Sequence, residues 1–173
     1  MKKIKYCFST LLLCLLIHTT PSISQERTFE TIVADVLNEM PARDQNHLIV
    51  LMEDLAGTGQ AGVEKLISMI IPAEHDGNDS KVRYALGGLA FYLSENNLNA
   101  QKQWFTRTLV EALKTYPSKE VKAYLMGLLQ IAGTSYAAAQ LASLANDPEL
   151  CDPAVRALVG IHTPETEQHL ISA

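Results

Sequence analysis

The histidine and carboxylate side chains close to the C-terminus are the first candidates for chemistry in this chain. His162, Glu165 and His169 lie close together in the sequence, and imidazole and carboxylate groups are ligands that Zn²⁺ accepts. Their spacing fits no common ligand pattern, however, because Pro164 interrupts it. We therefore expect no metal site at these residues.

A second acidic cluster lies in the segment 73–80. Glu74, Asp76 and Asp79 surround Gly77, and a calcium loop also combines carboxylates with a glycine. The spacing does not match such a loop. We expect an exposed connection between two helices.

The cysteines and the known catalytic motifs give no sign of an enzyme. Only Cys151 lies beyond the segment 1–24. The carboxylates of Glu149 and Asp152 next to it disfavour a thiolate, so we expect a packed side chain; a reactive or intermolecularly paired thiol is the alternative. The chain contains no G-x-S-x-G elbow, P-loop or H-E-x-x-H motif. The sequence predicts no catalytic site and no cofactor.

The N-terminus has the pattern of a secretory signal. Lys2, Lys3 and Lys5 precede an apolar run at 6–17, and small residues at 22–24 follow. The run is shorter than the roughly 20 residues that span a bilayer. We predict cleavage between Ser24 and Gln25 and export to the periplasm or cell envelope of a bacterium, with no stable membrane span afterwards. A lipid or uncleaved anchor is the alternative.

The charge of the chain argues against nucleic acid as a partner. The formal net charge is −5, and the segment 1–24 holds three of the 14 basic side chains and none of the 19 acidic ones, so cleavage leaves −8. Phosphates require a basic surface. Residues 25–80 carry 11 acidic and three basic side chains, whereas 81–173 carry eight of each. The acidic half could steer a basic partner, although a solvated surface is the more common explanation.

After the signal, every apolar segment has helical spacing and none alternates as a strand does. The predicted helices are 28–40, 44–55, 60–71, 79–93, 99–116, 119–132, 135–145, 152–161 and 164–173. They pair into hairpins at about 28–56, 60–93, 99–132 and 135–161. The sequence thus predicts an all-α domain over 25–173.

Similar stretches recur at 79–83, 118–122 and 152–156. The predicted N-caps of the second helices are Asp44, Asp79, Ser118 and Asp152, which follow one another at nearly regular intervals. A period of roughly 35 residues is typical of helical-hairpin solenoids. A side-chain cap is worth about 1 kcal/mol, so a cap at Asp152 predicts that loss for Asp152→Ala.

The segment 141–149, followed by 152–158, resembles the HEAT repeat family, especially the short HEAT-like repeats of phycobilin lyases. The resemblance covers nearly all of 28–173 and implies a right-handed α-solenoid of about four antiparallel hairpins. In such repeats a turn Asp and a helix Arg typically link neighbouring units. The residues at those positions are Asp79, Arg83, Asp152 and Arg156, while Ser118 and Lys122 depart from the pattern. For Arg83, Lys122 and Arg156, contact with a ligand is the alternative.

The resemblance implies binding rather than catalysis. The diiron hydroxylases of this architecture carry His-Glu dipeptides, which this chain lacks, and its charge opposes the basic face of the related DNA glycosylases. We therefore expect a non-catalytic scaffold or adaptor that binds another protein. The alternatives are an accessory or inhibitory subunit of another envelope protein and, less favoured, a bilin-type binder or lyase.

Two aromatic residues are the main candidates for partner contact. Tyr84 and Phe91 are seven positions apart and share a helix face rotated away from the apolar stripe, with Gly87 and Gly88 between them. Arg83 and Lys122 are added as lesser candidates. In the alternative, the aromatic rings pack between hairpins and the glycines allow close approach.

The last predicted helix, 164–173, carries Leu170 and Ile171 on its apolar side. It could be a cap, or the chain could be shorter than its relatives, or a partner could cover this end.

Overall fold

The computed structural model describes residues 27–172. Within this range it contains nine α-helices and no β-strand, so the predicted all-α class is confirmed for the described residues. The predicted signal segment and its cleavage site between Ser24 and Gln25 lie outside the described residues. The helices are α1 (Phe29–Asn38), α2 (Gln45–Gly57), α3 (Gly59–Ser68), α4 (Ser80–Glu95), α5 (Asn99–Thr115), α6 (Lys119–Ala132), α7 (Ala138–Leu144), α8 (Cys151–Ile161) and α9 (Pro164–Ser172).

Most helices begin and end close to where their apolar period predicts. The exception is the segment predicted as one helix at 135–145, which is a 3-10 turn (Ser135–Ala137) followed by the short α7. A 3-10 turn at a helix start satisfies amides that would otherwise lack partners.

Side-chain caps occur at two of the four predicted positions. The Asp44 Oδ1 accepts a hydrogen bond from the His47 N–H at 2.9 Å, and the Ser118 Oγ accepts one from the Val121 N–H at 3.5 Å. Asp79 precedes α4 but accepts no capping bond there, because its carboxylate is used elsewhere.

The cap predicted at Asp152 is wrong, because α8 begins one position earlier, at Cys151. The N–H groups of Leu150 and Cys151 both donate to the Asp147 carbonyl, at 3.0 and 2.8 Å. This tight turn carries the chain into the helix before Asp152 is reached, so Asp152 lies in the first turn.

The helices pack in two series. In the first, α1 contacts α3, α3 contacts α5, and α7 contacts α9; in the second, α2 contacts α4, α4 contacts α6, and α6 contacts α8. Successive helices α1–α2, α3–α4, α5–α6 and α7–α8 also contact one another. The core lies between the two series, and its fully buried side chains come from both. Among the largest are Leu55, Leu66, Leu86, Phe105, Leu109, Leu125 and Leu129.

A glycine sets the spacing between α6 and α8. A Cβ atom at Gly160 would lie 2.7 Å from the backbone oxygen of Gln130, which is closer than real contacts of this kind. Any side chain at this position would push α8 away from α6. The two helices pack closely because this residue has no side chain.

Candidate protein-binding surface

Arg83 joins the second predicted hairpin to the third. Its Nη1 donates to the Glu120 Oε1 at 2.6 Å, and its Nη2 donates to the Glu120 Oε2 at 3.2 Å. Its Nε donates to the Asp79 Oδ2 at 2.8 Å, and its Nη2 also donates to the Ile71 carbonyl at 3.2 Å. All three guanidinium nitrogens are therefore used inside the molecule, which favours a structural role for Arg83 over contact with a partner.

The environment of Arg83 shifts the pKa values of two neighbouring groups, the Asp79 carboxyl and the Tyr124 hydroxyl. Burial alone would raise the pKa of Asp79, but hydrogen bonds from the Ile71 N–H and from Arg83 outweigh it and lower that pKa below its ordinary value. The guanidinium carbon of Arg83 lies 4.8 Å from the centre of the Tyr124 ring. The Tyr124 hydroxyl donates to the Arg83 carbonyl at 2.8 Å, and burial raises the pKa of this hydroxyl well above its usual range.

The link between the third and fourth hairpins uses Lys119 rather than Lys122. The Lys119 Nζ lies 3.0 Å from the Asp147 Oδ2 and also contacts the Glu149 carboxylate. The hydrogen bond to Glu149 is the first cause of a raised pKa at Lys119. Lys122 is half-buried, and its ammonium group has no ion-pair partner in the described part of the chain.

Arg156 and Asp152 do not form the inter-hairpin link expected of them. The Arg156 Nη2 lies 2.6 Å from the Asp152 Oδ2, but both residues belong to α8 and both side chains are more than half exposed. This pair stays within one turn of one helix, so the expectation for these two residues is corrected.

Tyr84 and Phe91 lie on an exposed apolar stripe of α4 that also contains Gly87 and Gly88. Tyr84 is 48% exposed and Phe91 is 59% exposed, so neither ring is fully covered by a neighbouring hairpin. Among the described residues, a Cβ at Gly87 would meet no atom within 4 Å apart from its chain neighbours and the backbone of α4, whereas a Cβ at Gly88 would lie 3.0 Å from the Met52 Sδ. Gly88 thus brings α4 close to α2, and Gly87 leaves backbone open beside the rings.

A groove of about 300 Å³ lies between α2 and α4, next to Phe91. Its apolar wall is formed by Leu48, Ile49 and Met52 from α2, facing Phe91 and Gly88 from α4. Ile49 and Phe91 are both exposed. The groove is open to an apolar side chain from outside.

The polar edge of the groove is acidic. Glu95 lines it together with the side chains of Gln45 and Asn96. The hydroxyl of Tyr92, another lining residue, lies 3.5 Å from the Glu53 Oε1. Burial and the charge of Glu53 raise the pKa of Tyr92, so this hydroxyl keeps its proton.

Tyr84 borders a different depression. A smaller cavity of about 180 Å³ is lined by Met40, Pro41, Lys81 and Tyr84, with Ser80. The Lys81 Nζ donates to the Leu37 carbonyl at 3.1 Å, at the end of α1. The two predicted aromatic contacts therefore share a helix face but flank separate cavities.

The contribution of α2 to the groove was missed from the sequence. A signal for it exists, since 48–52 is an unbroken apolar run. A helix cannot turn five consecutive side chains toward one core, so part of the run has to face solvent. Ile49 and Val50 are the exposed members.

The residues considered first for chemistry do not converge in the structure. Among residues 27–172, no group of three His, Cys, Asp or Glu side chains could hold a metal ion. The His162 Nδ1 lies 3.6 Å from the Glu167 Oε1, not from Glu165. Glu74 and Asp76 are exposed, and Cys151 is a free, partly buried thiol.

None of the described helices is long and apolar enough to cross a membrane. Comparisons of this chain with protein-family models, with curated proteins and with solved structures find no match. Function is therefore inferred from the geometry of the α2–α4 surface.

Proposed function

We propose that this protein is a non-catalytic scaffold or adaptor that binds another protein in the periplasm or cell envelope of a bacterium. In this proposal the two series of helices form a right-handed α-solenoid of HEAT-like hairpins, and export follows cleavage between Ser24 and Gln25. The second helices of the hairpins, α2 and α4, present the binding surface.

The observation that carries the proposal is the exposed stripe on α4 with the groove beside it. Aromatic residues are enriched where proteins bind one another, and Phe91 lies next to an open apolar groove. The groove is at the small end of the roughly 300–1,000 Å³ range of ligand pockets. It suits one or two side chains of a partner better than a linear tetrapyrrole.

Affinity capture tests the scaffold function. The full chain carries a C-terminal tag and is expressed in its host, and proteins recovered from the envelope fraction are identified by mass spectrometry. We expect one reproducible partner that Tyr84→Ala/Phe91→Ala loses and that Tyr136→Ala retains. Tyr136 is a matched control because it is 48% exposed and lies outside the groove. Recovery of the same partner with the double variant would contradict the proposed surface.

The same material tests export. Intact-mass measurement of the accumulated chain should show a protein that begins at Gln25 and is found in the envelope or periplasmic fraction. A chain that retains residues 1–24 in the cytoplasm would rule out this part of the proposal.

An accessory or inhibitory subunit is the second candidate, favoured by apolar exposure on α8 and α9. Ile171 is 88% exposed and Val159 is 56% exposed. A larger protein that covers this surface would remove both side chains from water. Ile171→Asp and Val159→Asp should then abolish capture without lowering the stability of the isolated chain; unchanged capture would exclude this candidate.

A further inference from the structure

The groove between α2 and α4 combines an apolar wall with an acidic edge. The wall consists of Leu48, Ile49 and Met52 opposite Phe91. The edge holds the Glu95 carboxylate, and Glu53 lies within hydrogen-bond reach of the lining residue Tyr92. Among the described residues, Glu95 is thus the one acidic residue that lines the groove, and Glu53 adds a second carboxylate next to Tyr92.

The end of α4 adds to this negative charge. Glu95 is the last residue of α4 and Asn96 is its C-cap, and both line the groove. A helix C-terminus carries about half a negative charge, and α4 has no basic residue in its last turn to offset it. The Glu95 carboxylate therefore lies at the negative end of α4 and adds to its charge.

The residues around the start of α2 add no basic side chain to the lining of the groove. Gln45 begins α2 at the groove, but the Asp44 carboxylate caps that helix start. Arg43 donates from its Nε to the His47 Nδ1 at 3.3 Å, and the His47 Nε2 lies 3.6 Å from the Glu39 carboxylate. None of these groups lines the groove apart from the uncharged Gln45.

We propose that this groove binds a basic amphipathic helix of a partner protein. An apolar side chain of that helix inserts between Ile49 and Phe91, and a lysine or arginine on its flank pairs with Glu95 and Glu53. The lining of the groove on α4 runs from Gly88 to Glu95, about 10 Å along the helix, which matches two turns of a helix laid in a groove. This inference rests on the proposed scaffold function and names the chemistry of its partner.

Two synthetic peptides, each long enough for about five helical turns, test the inference. One places leucines on one helix face and lysines on the other; the second replaces every lysine by glutamate. Each is titrated into the ¹⁵N-labelled chain, in the form that the cell accumulates, at low salt. We expect the lysine peptide to bind, with amide shifts concentrated at 45–53 and 88–96, and its affinity to fall as salt rises.

Variants decide whether binding occurs in the groove. Phe91→Ala should raise the Kd of the lysine peptide about tenfold, and Glu95→Lys should raise it about fivefold or more. Tyr136→Ala and Glu64→Lys control for the loss of an exposed ring and for the change in net charge, and both should leave the Kd unchanged. Equal binding of the glutamate peptide, shifts centred elsewhere, or no effect of Phe91→Ala would overturn the inference.

The two proposals fail separately. If partner capture depends on Phe91 but the lysine peptide does not bind, the scaffold function stands and the basic-helix partner is wrong. If the peptide binds in the groove but the envelope yields no partner, the chemistry of the groove stands and the scaffold function falls.

Discussion

Arg83 and Glu120 lie 37 positions apart in the chain and are joined by two hydrogen bonds, at 2.6 and 3.2 Å. The bond is bidentate, and the same guanidinium also holds the Asp79 carboxylate. Because Asp79 in turn accepts the Ile71 N–H, one side chain connects the loop before α4, α4 itself and the start of α6.

Arg83→Ala should lower the free energy of unfolding by about 2 kcal/mol, because it leaves the half-buried Asp79 without its charged partner. Urea denaturation followed by circular dichroism measures this. Arg156→Ala is the matched control, since the exposed Arg156 pairs with Asp152 of the same helix, and it should change stability by less than about 0.5 kcal/mol. Equal losses for the two variants would show that Arg83 does not connect the hairpins.

Asp44→Ala and Asp152→Ala should lower the free energy of unfolding by different amounts, although the two residues occupy equivalent positions in the repeat. Asp44→Ala removes a side-chain cap and should cost about 1 kcal/mol. Asp152→Ala removes only an exposed pair in the first turn of α8 and should cost less than about 0.5 kcal/mol. The same denaturation measurements compare them, and a loss at Asp152 as large as that at Asp44 would restore the cap that the repeat predicted.

Thr106→Val should stabilise the protein. The hydroxyl of Thr106 is fully buried and has no hydrogen-bond partner in the described structure, and valine has nearly the same shape. Removing an unpaired buried hydroxyl should raise the free energy of unfolding by about 1 kcal/mol.

Thr108→Val is the control for that substitution. The Thr108 hydroxyl donates to the Trp104 carbonyl at 2.9 Å, so its removal should not stabilise the chain. Thermal denaturation of the two variants side by side gives the comparison. A lower melting temperature for Thr106→Val would mean that its hydroxyl has a partner.

Asp79 should make stability depend on pH in the acid range. Its folded-state pKa lies below the ordinary value of 3.8, so its contribution is complete above that value and is lost as the pH falls through the folded pKa. Urea midpoints of the wild type and Asp79→Asn, measured between pH 7 and pH 2, should differ at pH 7 and converge below about pH 3.8. A constant difference across this range would contradict the assigned pKa shift.

The helices were predictable because their signals are local. The period of apolar residues sets each stripe, and Asp44 and Ser118 cap the helix starts where the sequence places them. The failure at Asp152 has a local cause too, since the turn at Asp147 starts α8 before the cap position. A repeat pattern assigns equivalent positions, but the residues just before each one decide the geometry.

The candidate site was predictable only in part. The sequence placed Phe91 off the core stripe of α4, but it could not decide whether a neighbouring hairpin covers the ring. It likewise chose Lys122 for the link between hairpins, whereas Lys119 reaches Asp147 and Glu149. Which of two nearby lysines meets an acid on another hairpin depends on how the helices are rotated against each other.

By itself, the sequence determined that the chain is helical, roughly where each helix begins and ends, and which face of α4 is apolar without belonging to the core stripe. The helical period and the caps depend on residues only a few positions apart, so both can be recognised from the sequence. The tertiary structure alone decided that Arg83 reaches Glu120 and that Ile49 of α2 faces Phe91 of α4 across a groove. Both relationships join residues about 40 positions apart, and their distances follow from the packing of whole helices, which no local pattern encodes.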